Sequence, residues 1–200
     1  MKFYLKMAFM PFIYLLFSAM LGVGATTISG ENLEWLKYSL CALNTLFYAF
    51  IMGMAAFKDG QEALKVREQN DTYRRVIART GEDLPLKINE EYTPWKGFVI
   101  SLISCIPSVL LVIIHLCLNI GVAYPGNNGV GGIAALLNMV VFSFFMIDGV
   151  VTTLEYLFVL LIVPFICLVY GGMYNLGAMN MQKQYDKIAE TQRELHGDQY

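Results

Sequence analysis

Charge is scarce in this chain. Only 15% of its 200 residues are Asp, Glu, Lys or Arg, against about one-quarter in an ordinary soluble domain. That deficit, with 56% apolar residues and a mean hydropathy of +0.52, excludes a typical water-soluble globule. Histidine is rarer still, with two copies. Cys41, Cys105, Cys117 and Cys167 all lie in apolar runs without a CxxC or Cys/His cluster, which argues against a disulfide scaffold and a zinc site. They read as small buried apolar side chains and carry no information on redox compartment. Also missing are the GxSxG, HExxH, kinase, P-loop and dinucleotide-binding patterns. No catalytic residue, metal-ligand set or cofactor is therefore expected, and the chain reads as non-enzymatic. No basic face lacks interleaved acids, so nucleic acid is not expected as a partner.

What the chain has instead is apolar blocks of membrane-crossing length. The first, Phe3 to Val23, begins among Lys2 and Lys6. Val23-Gly24-Ala25 resembles a signal-peptide cleavage site, but the apolar run exceeds an h-region of about 7–15 residues and favours an uncleaved span. Leu36 to Phe57 is the second span. Ala42, Ala49, Gly53 and Ala56 give it a face for close helix packing, and Asn44 is placed for an interhelical hydrogen bond. Gly97 to Leu118 is the third, and Tyr156 to about Met173 supplies another. Between these last two, Ile133 to Ile147 is apolar but only about 22 Å long as a helix, short of a core of about 30 Å.

The distribution of basic residues sets the sidedness. With four crossings and both termini inside, every one of the fourteen basic residues except Lys37 is cytoplasmic; five crossings would split them ten against four. The expected fold is all-α, a polytopic transmembrane helical bundle with four crossings and a re-entrant or outer-surface helix at 133–147. Five crossings is the alternative. The expected organisation is a hairpin at 1–57, a charged helix and linker at 58–96, a second transmembrane region at 97–175 with an outer loop at 119–132, and a C-terminal helix at 176–200. The expected location is the cytoplasmic (plasma) membrane, with the lipid bilayer as constant partner.

Polar residues inside this apolar background are the candidate functional groups. Ser101, Ser104, Ser108, His115 and Asn119 fall on one face of the third span. With Asp148 and Glu155 they form a candidate intramembrane site, because ionisable groups in a span are expensive and functional by default. Small hydroxyls on such a face also simply pack between helices. A single tilted helix carrying Asp148, Thr152 and Glu155 on one face is a further arrangement. Metal ligation by His115, Asp148 and Glu155 would require the third span to end beside the two acids.

The charged stretch 58–96 has its own pattern. Asp59 and Glu62 have capping-box spacing for a helix start, and Gly81 suits its end. Ala63, Val66, Asn70, Tyr73 and Ile77 step as a coiled-coil seam; Ala178, Met181, Tyr185, Ile188, Gln192 and Leu195 do the same in the tail. These seams predict a small cytoplasmic helical unit that pairs within the chain, with a second copy in a homo-oligomer, or with a membrane-complex partner. Pro94-Trp95-Lys96 reads as a membrane-surface anchor. The function expected is that of an accessory or scaffold subunit. A small transporter or ion- or proton-conducting subunit is the alternative.

Overall fold

The computed structural model describes residues 2–28, 33–120, 129–145 and 152–196. Among them the regular elements are all helical: α1 (Lys2–Thr26), α2 (Glu34–Thr80), a 3-10 turn (Ile88–Glu90), α3 (Lys96–Leu118), α4 (Gly129–Leu137), α5 (Met139–Phe145), α6 (Thr153–Val159) and α7 (Ile162–His196). Four stretches, namely α1, α2, α3 and the run Glu155–Glu194, are long and apolar enough to cross a membrane. Their outward surfaces carry Phe9, Phe17, Leu43, Phe50, Leu102 and Leu168. A bundle apolar both inside and outside suits a lipid solvent, since water-soluble helices keep their polar face outward.

The expected helix start at Asp59 is not there. α2 runs unbroken through Lys58–Asp59–Gly60 for 47 residues, so span and charged helix are one rod of about 70 Å. The physical reason is that Asp59 spends its carboxylate elsewhere: its Oδ2 accepts a 2.6 Å hydrogen bond from the Tyr170 hydroxyl of α7. Gly81 does end α2, with φ of 72° and its amide donating to the Ile77 carbonyl. The tail behaves like α2. No boundary occurs at 175/176, and α7 continues from the apolar run to His196.

α2 and α7 run parallel and touch through glycine. A Cβ at Gly60 would meet the Tyr174 carbonyl, and one at Gly177 would meet that of Phe57. Each helix thus presses its backbone into the other where a side chain cannot fit, a geometry that small residues make possible in membrane bundles. α3 joins α7 in the same way, since a Cβ at Gly97 would lie 2.8 Å from Tyr174 Cβ and 3.1 Å from Gly171 Cα. Around this crossing Tyr48, Met52, Ala56, Ile100, Tyr170 and Tyr174 form the main core. α1 is built into the same bundle, with Ala8, Leu15 and Ala19 buried. The hydrogen bond expected of Asn44 is present: its Oδ1 accepts from the Ser18 hydroxyl at 3.1 Å and its Nδ2 donates to the Ser18 carbonyl.

The short apolar segment is broken rather than continuous. Asn138 separates α4 from α5, its Nδ2 donating to the Ala134 carbonyl at 2.7 Å and its own carbonyl capping the amides of Val141 and Phe142. Both short helices pack inside the bundle, with Ala134, Met139, Val140 and Phe142 buried. Thr45 of α2 donates to the Val140 carbonyl at 2.8 Å. α6 gives way to α7 at Leu160–Leu161, where Pro164 in the first turn of α7 has no amide to continue the ladder.

Gly177→Ala is expected to force α2 and α7 apart and to destabilise the fold by about 1–3 kcal/mol. Gly172→Ala, where a Cβ meets nothing within 4 Å, should instead stabilise it by about 0.5–1 kcal/mol through helix propensity. Unfolding midpoints of the two variants in detergent measure the difference, and similar losses in both would count against the close crossing.

Candidate functional site

Two polar groupings stand out, one at the charged end of the bundle and one running along α3 away from it. The first lies at the charged end, where α2 and α7 leave the apolar layer. After Gly81 the chain turns back along α2, and the Tyr92 amide donates to the Ala63 carbonyl at 3.0 Å. The Tyr92 ring stacks on Tyr174, with centroids 5.6 Å apart, and its hydroxyl donates to Asn175 Oδ1 at 2.8 Å. Burial pushes the Tyr92 phenol above its ordinary pKa, opposed by the nearby charge of Arg67. It therefore keeps its proton and its donor role at neutral pH. Beside it, the Asp59–Tyr170 hydrogen bond ties α2 to α7.

Lys96 closes this cluster. The sequence places it at the membrane surface with Trp95, and Trp95 is indeed exposed. Lys96 is not: it is buried, with its ammonium donating to the carbonyls of Asn89 (2.7 Å) and Glu91 (2.8 Å). The same ammonium sits 4.6 Å from the Phe3 ring centroid and 5.9 Å from that of Tyr4. Two carbonyls and two ring faces offset part of the hydration that this ammonium loses on burial. One side chain thereby joins the start of α1 to the linker and to α3.

The structure also gives the predicted α2 seam a cis partner. Asn70 is buried, its Nδ2 donating to Glu91 Oε1 at 2.7 Å and its Oδ1 accepting from the Lys87 amide at 3.1 Å. Arg74 bridges Asp71 (2.7 Å) and Glu91 (2.6 Å), as the helical spacing of Asp71 and Arg74 suggests. Val66, Tyr73 and Ile77 are half-buried on this helix. In the tail, Ala178 is buried against the Gly60 crossing and Met181 and Tyr185 are half-buried, whereas Ile188 and Gln192 are exposed. The side chain of Leu195 lies outside the described residues.

The second cluster is the polar stripe of α3. Ser101, Ser104, Ser108 and His115 all face the interior. The hydroxyls of Ser101 and Ser104 donate to the carbonyls of Phe98 (2.8 Å) and Ser101 (2.7 Å), and Ser108 donates to Asn138 Oδ1. His115 packs against the Tyr156 ring, with centroids 4.1 Å apart. Asn119 donates to the His115 carbonyl at 2.8 Å. Each serine is thus satisfied by a helix carbonyl or by the break in the neighbouring helix, which is packing chemistry.

Glu155 belongs to neither cluster. It is the third residue of α6 and accepts from the backbone amide and hydroxyl of Thr152, while the Thr152 hydroxyl accepts from the Glu155 amide. This reciprocal capping box starts a helix. It replaces the single tilted helix considered from the sequence, because the helix begins at Thr153. Asp148 lies outside the described residues. Among those described, no three His, Cys, Asp or Glu side chains converge to hold a metal ion.

Sequence reasoning missed the Asp59–Tyr170–Tyr174–Tyr92–Lys96 cluster. A signal existed in Tyr170 and Tyr174, one helical turn apart where the last apolar run ends. Comparison with known protein families, curated proteins and solved structures finds no match.

Tyr170→Phe should destabilise the protein by about 1–3 kcal/mol by stripping Asp59 of its donor. In a cycle with Asp59→Asn the two changes should couple by at least about 0.5 kcal/mol. Additive unfolding energies would show that the bond contributes nothing to joining α2 and α7.

Proposed function

We propose that this chain is a non-enzymatic multi-pass membrane protein that serves as an accessory or scaffold subunit. In this reading it sits in the plasma membrane with both termini cytoplasmic and docks partners through its cytoplasmic helices. The observation that carries the reading is the continuity of α2 and α7. Rods of 47 and 35 residues span roughly 70 and 50 Å, against an apolar core of about 30 Å. Both therefore extend well past the bilayer without a hinge, and the polar cluster around Lys96 and Asp59 fixes them where they leave it. The sidedness rests on the basic residues, nearly all of which fall at the charged end. The broken α4–α5 segment is read as re-entrant from the outer side, since interrupted backbone is tolerated at membrane depth when buried in protein.

One observation favours a second reading, a small transporter or ion- or proton-conducting subunit. His115 is buried beside an interrupted helix, in line with three serines. The local hydrogen bonds of those serines weigh against a solvated path along them.

A triple variant of Ser104→Ala, Ser108→Ala and His115→Leu separates the two readings in the reconstituted full chain. The scaffold reading expects unchanged assembly and no ion or proton flux to lose. A wild-type flux abolished in the variant would establish conduction instead. Sidedness is tested with a membrane-impermeant thiol reagent: above the unsubstituted background, Lys187→Cys should label only from the cytoplasmic side and Thr27→Cys only from outside. Labelling of both from one side would refute the four-crossing topology.

A further inference from the structure

The last turns of α7 carry a face that no other described residue covers. Ile188 is 53% exposed although it is a large apolar residue, and Gln192 next along the seam is exposed. The potential cis partner is engaged elsewhere. On α2, Ala63 and Asn70 are bonded to the linker that folds back over them. Ala178, the first member of the tail seam, is buried at the Gly60 crossing. Beyond Tyr185, which is half-buried like Met181, every residue from Asp186 to Glu194 is exposed.

The arrangement of charge along this projecting helix says what fits it. Taking Ala178, Tyr185 and Gln192 as a positions and Met181, Ile188 and Leu195 as d positions, the charges between Ala178 and Leu195 all fall at b, c and f. Lys183 and Glu190 are f, Asp186 and Arg193 are b, and Lys187 and Glu194 are c. The flanking e and g positions, Gln182, Gln184, Ala189 and Thr191, carry no formal charge. In a parallel coiled coil e and g residues of the two strands face each other, and like charges there would repel. A seam flanked by neutral residues is free of that penalty against its own copy, and its charges stay in water. Two copies in one membrane present their tails from the same side, hence parallel. Tethering also supplies the high effective concentration that a seam of about two heptads needs.

We propose that residues 181–195 of α7 pair with the same segment of a second copy as a short parallel coiled coil, making the chain a homodimer. This names the partner within the scaffold function proposed above and rests on that reading. Gln192, at an a position, fixes the register of the pair at some cost in stability, as single polar seam residues do.

The test is disulfide crosslinking of the full chain in membranes under a mild oxidant. Ile188→Cys, at d, should give a species of twice the 22.5 kDa chain mass. Glu190→Cys, at f on the outer face, should give none above the unsubstituted chain. Both positions are exposed, so neither change threatens the fold. Equal yields at the two sites, or no product at Ile188→Cys, would overturn the pairing. The fate of the broader reading is then separable. If Ile188→Cys does not self-crosslink but the chain migrates in a larger complex that Ile188→Asp dissolves, the homodimer fails and the scaffold stands. If no such complex exists either, both fail.

Discussion

Everything at the charged end of this bundle depends on how closely α2 and α7 approach each other. Gly60 and Gly177 press against the carbonyls of Tyr174 and Phe57, and no residue with a Cβ fits at either place without moving a helix. In a lipid solvent burial of apolar surface does little to bring helices together, so association relies on backbone proximity and interhelical hydrogen bonds. The fold supplies both at one level. Next to the glycine contact, Tyr170 donates to Asp59, and Gly97 lets α3 close on Tyr174 and Gly171.

From that crossing the remaining features follow in sequence. Holding α2 and α7 parallel places the Tyr174 ring where Tyr92 stacks on it, which draws the linker back along α2. The returning linker presents the carbonyls of Asn89 and Glu91 to Lys96, and Lys96 in turn holds the rings of Phe3 and Tyr4. The polar knot thus links α1, α2, α3, α7 and the linker. At the opposite end the polar groups are dispersed, each serving a local need: Ser108 meets the break at Asn138 and Glu155 starts α6. The interconnected polar chemistry thus lies where the apolar runs of α2 and α7 give way to charged sequence.

Much of this was legible in the residues, for identifiable reasons. Spans announce themselves by length and composition, so all four apolar runs were found, α1 and α3 with nearly correct limits; the second and last run on to Thr80 and Glu194, well past the expected ends at Phe57 and Met173. Gly81 ended its helix because an αL cap is a local requirement. The partner role of Asn44 followed from the cost of leaving an amide unpaired in lipid. What misled was also local. Asp59 and Glu62 have the spacing of a helix start, yet tertiary contact with Tyr170 takes the carboxylate and the helix runs on. Trp95 and Lys96 look alike as interfacial anchors, but only the three-dimensional return of the linker decides that Lys96 is buried. The seam on α2 was visible; that its own linker would occupy Asn70 was not, because that pairing spans residues 70 to 91 through an irregular segment.

The central claim is that span and charged helix form one rod clamped at the α7 crossing. Amide hydrogen exchange at Gly60, Gln61 and Glu62, in the full chain in lipid nanodiscs, tests it most directly. A helix starting at Asp59 would leave these amides in its unbonded first turn, where exchange is fast. A continuous α2 bonds them to the carbonyls one turn back and buries Gly60 beneath α7. The account predicts slow exchange at all three, comparable to that of Ala56. Fast exchange confined to these positions would contradict it.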